Sequence, residues 1–186
     1  MKIVYIYTDG SCSPNPGEGG WAWVAVDEEG IEMYDEGSGH VPNTTNMRME
    51  LKALYEAAKY AQKISGLYEI VFYTDSQVAL ELLAGTYNAK KNVDLVNKTK
   101  KEYMKVYEQA TKCIIKHVKA HSGYKWNEYV DNLANEARKT DLSYVMCKKC
   151  KDKGWYWVGD INIPRTWGCT CTECNTWTDD SSKNTC

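Results

Sequence analysis

The sequence predicts an α/β domain built on a mixed β-sheet, and three observations predict it. Three apolar, β-rich runs come first, separated by turn signals. Amphipathic helical patterns then alternate with two further short apolar runs. Two of the apolar runs also close on the same signature, Thr8-Asp9-Gly10 and Thr74-Asp75-Ser76. In α/β sheets, sites form beyond the carboxyl ends of strands, where such residues would lie.

Residues 2–7 are β-branched and aromatic and run into Asp9-Gly10, which reads as a buried strand. Residues 11–20, with two prolines and three glycines, read as a turn-rich loop. Residues 21–26 and 31–34 flank the Asp27-Glu28-Glu29-Gly30 turn and complete an antiparallel meander. Residues 42–46 supply helix caps. Met47, Leu51, Leu54, Tyr55, Ala58 and Ala61 then keep helical spacing, with Glu50 near the first turn. A short strand over 69–73 leads to Asp75, and a helix over 77–83 stops at Gly85. A lysine-rich helix over 94–110, a strand over 113–118, a loop over 121–126 and a helix over 127–139 follow.

A chain of 186 residues accommodates one well-buried domain and a small appendage. Its net charge of −2 conceals an asymmetry. Two basic residues oppose nine acidic ones up to Glu50, whereas ten lysines oppose three acids between Lys90 and Lys125. A basic stretch beside an acidic pocket suits a polyanion cut at a metal site, and equally a solvated helix face. No run is long and apolar enough to span a membrane. The first residues enter a strand pattern without a secretory signal, so cytoplasmic residence is the expectation. That compartment argues against reading the eight cysteines as disulfides.

Four acids, Asp9, Glu50, Asp75 and Asp131, each lie where a carboxylate could reach a metal. Brought together they would repel strongly, and hard divalent cations with a preference for oxygen would offset that repulsion. If the strands ending at Asp9 and Asp75 are parallel neighbours, those two lie side by side. Glu50 and Asp131 would then reach them from helices.

Seven segments carry a closer likeness: Thr8–Cys12 with Asn15-Pro16-Gly17, Gly19–Ala22, Thr45–Leu51, Thr74–Gln77, Lys91–Leu95, Val118–Gly123, and Asn127-Glu128 with Asp131–Ala134. In order and spacing they resemble type 1 ribonuclease H over about residues 1–140. The resemblance implies a mixed five-stranded sheet flanked by helices. It further implies an endonuclease that hydrolyses the RNA strand of RNA–DNA hybrids with Mg2+ or Mn2+, leaving 3′-hydroxyl and 5′-phosphate ends. By position, Asp9, Glu50, Asp75 and Asp131 would hold two ions, which can together activate water and stabilise the leaving 3′-oxygen. Asp9 and Asp75 would serve both ions, Glu50 the leaving-group side with the RNA 2′-hydroxyl, and Asp131 the attacking side. His121 would be the loop histidine of proton transfer and product release. Asn15, Asn46 and Gln77 resemble contacts to RNA 2′-hydroxyls, the group that separates RNA from DNA. Thr45 resembles part of a DNA-phosphate pocket, and Cys12 a thiol near the nucleic acid. A monomer is the simplest expectation. Other readings are a DNA nuclease or integrase on the same fold, and a non-cleaving nucleic-acid adaptor, which four intact carboxylates oppose.

Two departures stand out. The basic, Trp-rich protrusion of some members is reduced here to residues 83–90, which puts tight intrinsic hybrid binding in doubt. Residues 141–186 also differ in composition and carry Cys147-x2-Cys150 and Cys171-x2-Cys174. Two such knuckles suit tetrahedral thiolate ligation of one structural Zn2+, as in zinc-ribbon or rubredoxin-like modules, with iron, redox-active thiols or unligated thiols as alternatives. Cys169 leaves the register of the second knuckle open, and Cys186 reads as a terminal thiol. The aromatic run 155–157, Trp167 and Trp177 either cover a small core or, with Lys148, Lys149, Lys151 and Lys153, make a stacking surface for nucleic acid.

Overall fold

The computed structural model describes residues 2–66, 68–120, 123–139, 155–158 and 166–169. The chain divides into two units, Met1–Thr140 and Asp141–Cys186. In the first, strands β1 (Lys2–Cys12), β2 (Gly17–Asp27) and β3 (Met33–Thr44) form the meander. Helix α1 (Asn46–Ala61), β4 (Tyr68–Thr74), α2 (Gln77–Ala84), α3 (Val93–Gln109), β5 (Cys113–His117) and α4 (Lys125–Lys139) follow. The sheet order is β3-β2-β1-β4-β5. β1 pairs antiparallel with β2 but parallel with β4, and β4 pairs parallel with β5. This is the mixed five-stranded sheet that the resemblance implies, and the expected parallel adjacency of β1 and β4 holds.

Strand alternation decides which helix each residue meets. Val4 and Ile6 of β1, Trp23 and Ala25 of β2, and Ile70 and Phe72 of β4 face α1 and α3, where Ala57, Ala58, Ala61 and Val106 cover them. The opposite pleat of β2, Ala22, Val24 and Val26, packs on Val130 and Ala134 of α4. A third cluster joins Leu51 and Leu54 to Leu82, Leu83 and Val96, seating α2 and α3 on α1. Thr99, fully buried, ties α3 to α1 by sharing its hydroxyl between the carbonyls of Leu95 at 2.8 Å and Leu51 at 3.2 Å.

Several boundaries depart from the sequence reading. Most of the loop expected over 11–20 is strand, because β1 extends through Cys12 and β2 begins at Gly17. Ladder pairing of Ser11 with Gly20 and Cys12 with Gly19 outweighs the weak strand propensity of glycine. Likewise β3 continues to Thr44, and Thr45 alone is the cap of α1, its hydroxyl accepting from the Arg48 amide at 3.4 Å. Helix α4 starts at Lys125, so Lys125 and Trp126 are helical rather than loop. His40 is largely enclosed and pairs with Glu18 at 2.5 Å. Only residues 85–92 separate α2 from α3, so the basic protrusion is absent.

Of the second unit, β6 (Trp155–Val158) and β7 (Thr166–Cys169) pair as an antiparallel hairpin. Cys147, Cys150, Cys171 and Cys174 lie outside the described residues. Among the described residues, no helix is long and apolar enough to cross a membrane.

Candidate active site

Asp75 directly follows β4 and Asp9 lies within β1, each one step beyond the Thr8–Thr74 pair at which the parallel pairing of the two strands stops. Both threonines are fully buried, and the Thr8 hydroxyl donates to the Tyr73 carbonyl at 3.1 Å, locking the two strand ends together. Beyond this point β4 turns away: Ser76 caps α2 and the Val118 amide donates to the Thr74 carbonyl at 3.0 Å. His117 is exposed, with its ring nitrogen 3.1 Å from the Asp75 carbonyl.

Glu50 arrives from the other layer. It sits in the second turn of α1, and that turn lies directly on Gly10. A Cβ at Gly10 would stand 2.2 Å from the Glu50 amide nitrogen and 2.3 Å from the Met49 carbonyl carbon. Only a residue without a side chain lets helix and strand approach so closely. The Gly10 amide in return stabilises the carboxylates of both Asp9 and Glu50.

These elements bring Asp9, Glu50 and Asp75 to one point. One oxygen from each lies within 4.8 Å of the others, with Asp9 and Glu50 buried and Asp75 half-buried. Burial foremost, then the charges of Asp75 and Asp131, push the Asp9 carboxyl up to about 7 from an ordinary 3.8. Burial, followed by Asp9 and Asp75, raises Glu50 well above the usual range as well. Glu50 Oε1 is approached by the Asn46 amide at 3.5 Å, while its buried Oε2 has no hydrogen-bond partner. A buried carboxylate oxygen lacking a donor, amid acids that oppose one another's ionisation, is an arrangement that a divalent cation completes. The donor set is all oxygen and suits Mg2+ or Mn2+.

Asp131, on α4, adjoins this trio through Asp9, with which it shares a side-chain hydrogen bond and charge repulsion. The approach of α4 depends on another glycine: a Cβ at Gly20 would lie 2.1 Å from the Ala134 carbonyl oxygen.

Of the residues expected to meet substrate, Cys12, Asn15, Thr45 and Asn46 gather about the start of α1, and Gln77 opens α2. Asn15 Oδ1 accepts from the Asn46 amide at 3.2 Å, joining the β1–β2 turn to the start of α1. Cys12 is a free thiol whose Sγ lies 3.4 Å from the Thr44 carbonyl, and Thr45 is occupied as the helix cap. Gln77 is exposed at the start of α2 and donates to Glu81 at 2.8 Å. His121 lies outside the described residues. Unanticipated by the sequence reading is a group around Asp131, made of Ser11, Asn135 and Arg138. Its one sequence signal is the spacing of Asp131 and Asn135, four apart on a helix face.

The family model for RNase H matches residues 1–139. The chain belongs to the ribonuclease H family. Ribonuclease H from Campylobacter jejuni is 43% identical over 145 residues, covering 74% of this chain and 92% of the relative. The ribonuclease H of Syntrophomonas wolfei is 40% identical over 151 residues, covering 75% of this chain and 99% of its own. Among solved structures, ribonuclease H1 of the halophilic archaeon Halobacterium salinarum aligns with a TM-score of 0.61 at 29% identity, covering 73% of this chain and 96% of that one. LC11 ribonuclease H1, solved in complex with an RNA/DNA hybrid, aligns with a TM-score of 0.61 at 29% identity, covering 72% and 95%. Ribonucleases H are metal-dependent nucleases, and this one has an acidic trio able to hold a metal.

Proposed function

We propose that this ribonuclease H cuts the RNA strand of RNA–DNA hybrids, using two Mg2+ or Mn2+ ions held by Asp9, Glu50, Asp75 and Asp131, and leaves 3′-hydroxyl and 5′-phosphate ends. The observation that carries this reading is the convergence of Asp9, Glu50 and Asp75 within 4.8 Å, with Glu50 Oε2 buried and unpartnered. When bound, two such ions supply an activated water and stabilise the departing oxygen. Asp9, repelled by both Asp75 and Asp131, would serve both ions. Glu50, rigid on the α1–Gly10 contact, serves the leaving-group side. Asp131, at the rim, serves the attacking side, and His121 moves protons and product.

Asn15 and Asn46, already in contact, form one polar edge against the RNA strand, with Gln77 beyond and Thr45 toward a DNA phosphate. The hybrid's 2′-hydroxyls give these amides something to read that DNA lacks. For the second unit, the two Cys-x-x-Cys pairs support one structural Zn2+ on Cys147, Cys150, Cys171 and Cys174. Metal analysis of the purified chain at one zinc per molecule is the expected result.

The deciding experiment offers the protein labelled RNA–DNA hybrid, RNA–RNA and DNA–DNA duplexes with Mg2+, Mn2+ or EDTA. Metal-dependent cutting of the hybrid's RNA strand alone is expected, and Asp9→Asn or Asp75→Asn abolishes it while the protein stays folded. Full activity in Asp9→Asn, or equal cutting of DNA, overturns the proposal.

A further inference from the structure

We infer that Ser11, Asn135 and Arg138 form a positioning relay that holds the Asp131 carboxylate in the active site and thereby sets its affinity for divalent metal. The inference rests on the reading of Asp131 as a metal ligand.

Arg138 Nε donates to Ser11 Oγ at 3.1 Å, and Ser11 Oγ donates to Asn135 Oδ1 at 2.7 Å. Asn135 Nδ2 then donates to Asp131 Oδ1 at 2.8 Å and to the Asp131 carbonyl at 3.0 Å. Each bond has a forced direction. A guanidinium has donors only, so the serine oxygen accepts from Arg138 and its single proton must go to Asn135. That contact occupies the amide oxygen, and the amide nitrogen is left pointing at Asp131. A cation at one end thus orders a chain of dipoles toward an anion at the other.

The relay follows from matching repeats of strand and helix. Asp9 and Ser11 are two apart on β1 and share the pleat facing α4, while Asp131 and Asn135 are four apart on one face of α4. Two strand residues span about 6.6 Å and four helical residues about 6 Å. Asp9 therefore meets Asp131 on one rung as Ser11 meets Asn135 on the next. Gly20, beneath Ala134 and Arg138, keeps the two elements close enough for both rungs.

Asp131 needs such a hold. Its carboxylate is half-buried and repelled by Asp9, and an unrestrained side chain would swing toward solvent whenever no cation is bound. Partners behind a metal ligand fix its orientation in this way, and losing one lowers metal affinity by about 10–100-fold.

The test measures Mn2+ binding calorimetrically to the full, zinc-loaded chain, and cleavage of the hybrid against Mg2+ concentration. Ser11→Ala, Asn135→Ala, their double variant, Ser11→Thr and Asp131→Asn are compared with wild type, each with a thermal melt. Ser11→Ala and Asn135→Ala should each weaken Mn2+ binding about tenfold. The double variant should lose little more than either, Ser11→Thr should keep wild-type affinity, and saturating Mg2+ should restore cleavage by both single variants. If Asp131→Asn loses affinity while Ser11→Ala and Asn135→Ala bind Mn2+ as wild type does, the relay is overturned and the ligand reading stands. If Asp131→Asn itself binds and cleaves normally, the ligand reading falls and the relay with it. Should Ser11→Ala fail to fold, Asn135→Ala decides alone, since alanine favours the helix it enters.

Discussion

Gly10 and Glu50 meet backbone to backbone: a methyl group on Gly10 would lie 2.2 Å from the Glu50 amide nitrogen. The strand carrying Asp9 and the helix carrying Glu50 are therefore in contact at the residues adjoining the two acids. The site is assembled by the absence of a side chain as much as by the carboxylates.

Gly10→Ala should consequently damage structure and site together. The obstructing atoms are main-chain, so α1 must move, at a cost of about 1–3 kcal/mol typical of overpacking. Denaturant unfolding should register that loss, and cleavage should fall by more than the unfolded fraction explains because Glu50 is displaced. Wild-type cleavage in the folded Gly10→Ala protein would show that Glu50 tolerates the shift.

Gly20→Ala tests the opposite layer. Its Cβ would meet the Ala134 carbonyl oxygen at 2.1 Å and the Arg138 amide at 2.5 Å, lifting α4 from β2. We expect a comparable stability loss of about 1–3 kcal/mol, and a higher Mg2+ requirement because Asp131 travels with α4. A Mg2+ titration of the folded variant checks it.

Metal-free stability should fall as pH rises. The folded pKa of Asp9, about 7, lies above its ordinary 3.8, so the folded protein retains a proton that the unfolded chain has released. The contribution of Asp9 to stability is favourable at low pH relative to high, declines as pH rises from about 4 to 7, and is fully lost above that. Glu50, raised in the same direction, adds to the slope. Asp9→Asn should be more stable than wild type without Mg2+ at pH 8, by roughly 2–4 kcal/mol of unfolding free energy, with the difference vanishing near pH 4. Saturating Mg2+ should flatten the wild-type profile. Identical melting profiles for the two proteins would contradict this account of the repulsion.

Thr99→Val isolates a buried contact between α3 and α1 that involves no carboxylate. It removes a buried hydroxyl shared by the Leu51 and Leu95 carbonyls while keeping the side-chain volume. A loss of about 1 kcal/mol is expected in denaturant unfolding, with cleavage by the folded protein unchanged.

The sequence by itself determined the α/β class, the order of elements through residue 139, and the four acids as candidates. Alternation of apolar residues is local, and so is a Thr-Asp signature at a strand end. Boundaries around glycine were less legible, because Gly19 and Gly20 join β2 through pairing with Cys12 and Ser11, partners no local pattern reveals. Tertiary structure alone decided that β1 and β4 are parallel neighbours, and that Gly10 and Gly20 admit α1 and α4 from opposite faces. It also decided the relay from Arg138 to Asp131, whose crucial bond joins Ser11 to a residue 124 positions away. Residue type and spacing specify what a side chain can do. Which side chains meet depends on the pleat, the register and the close approaches of a folded sheet, and these are set by the whole chain at once.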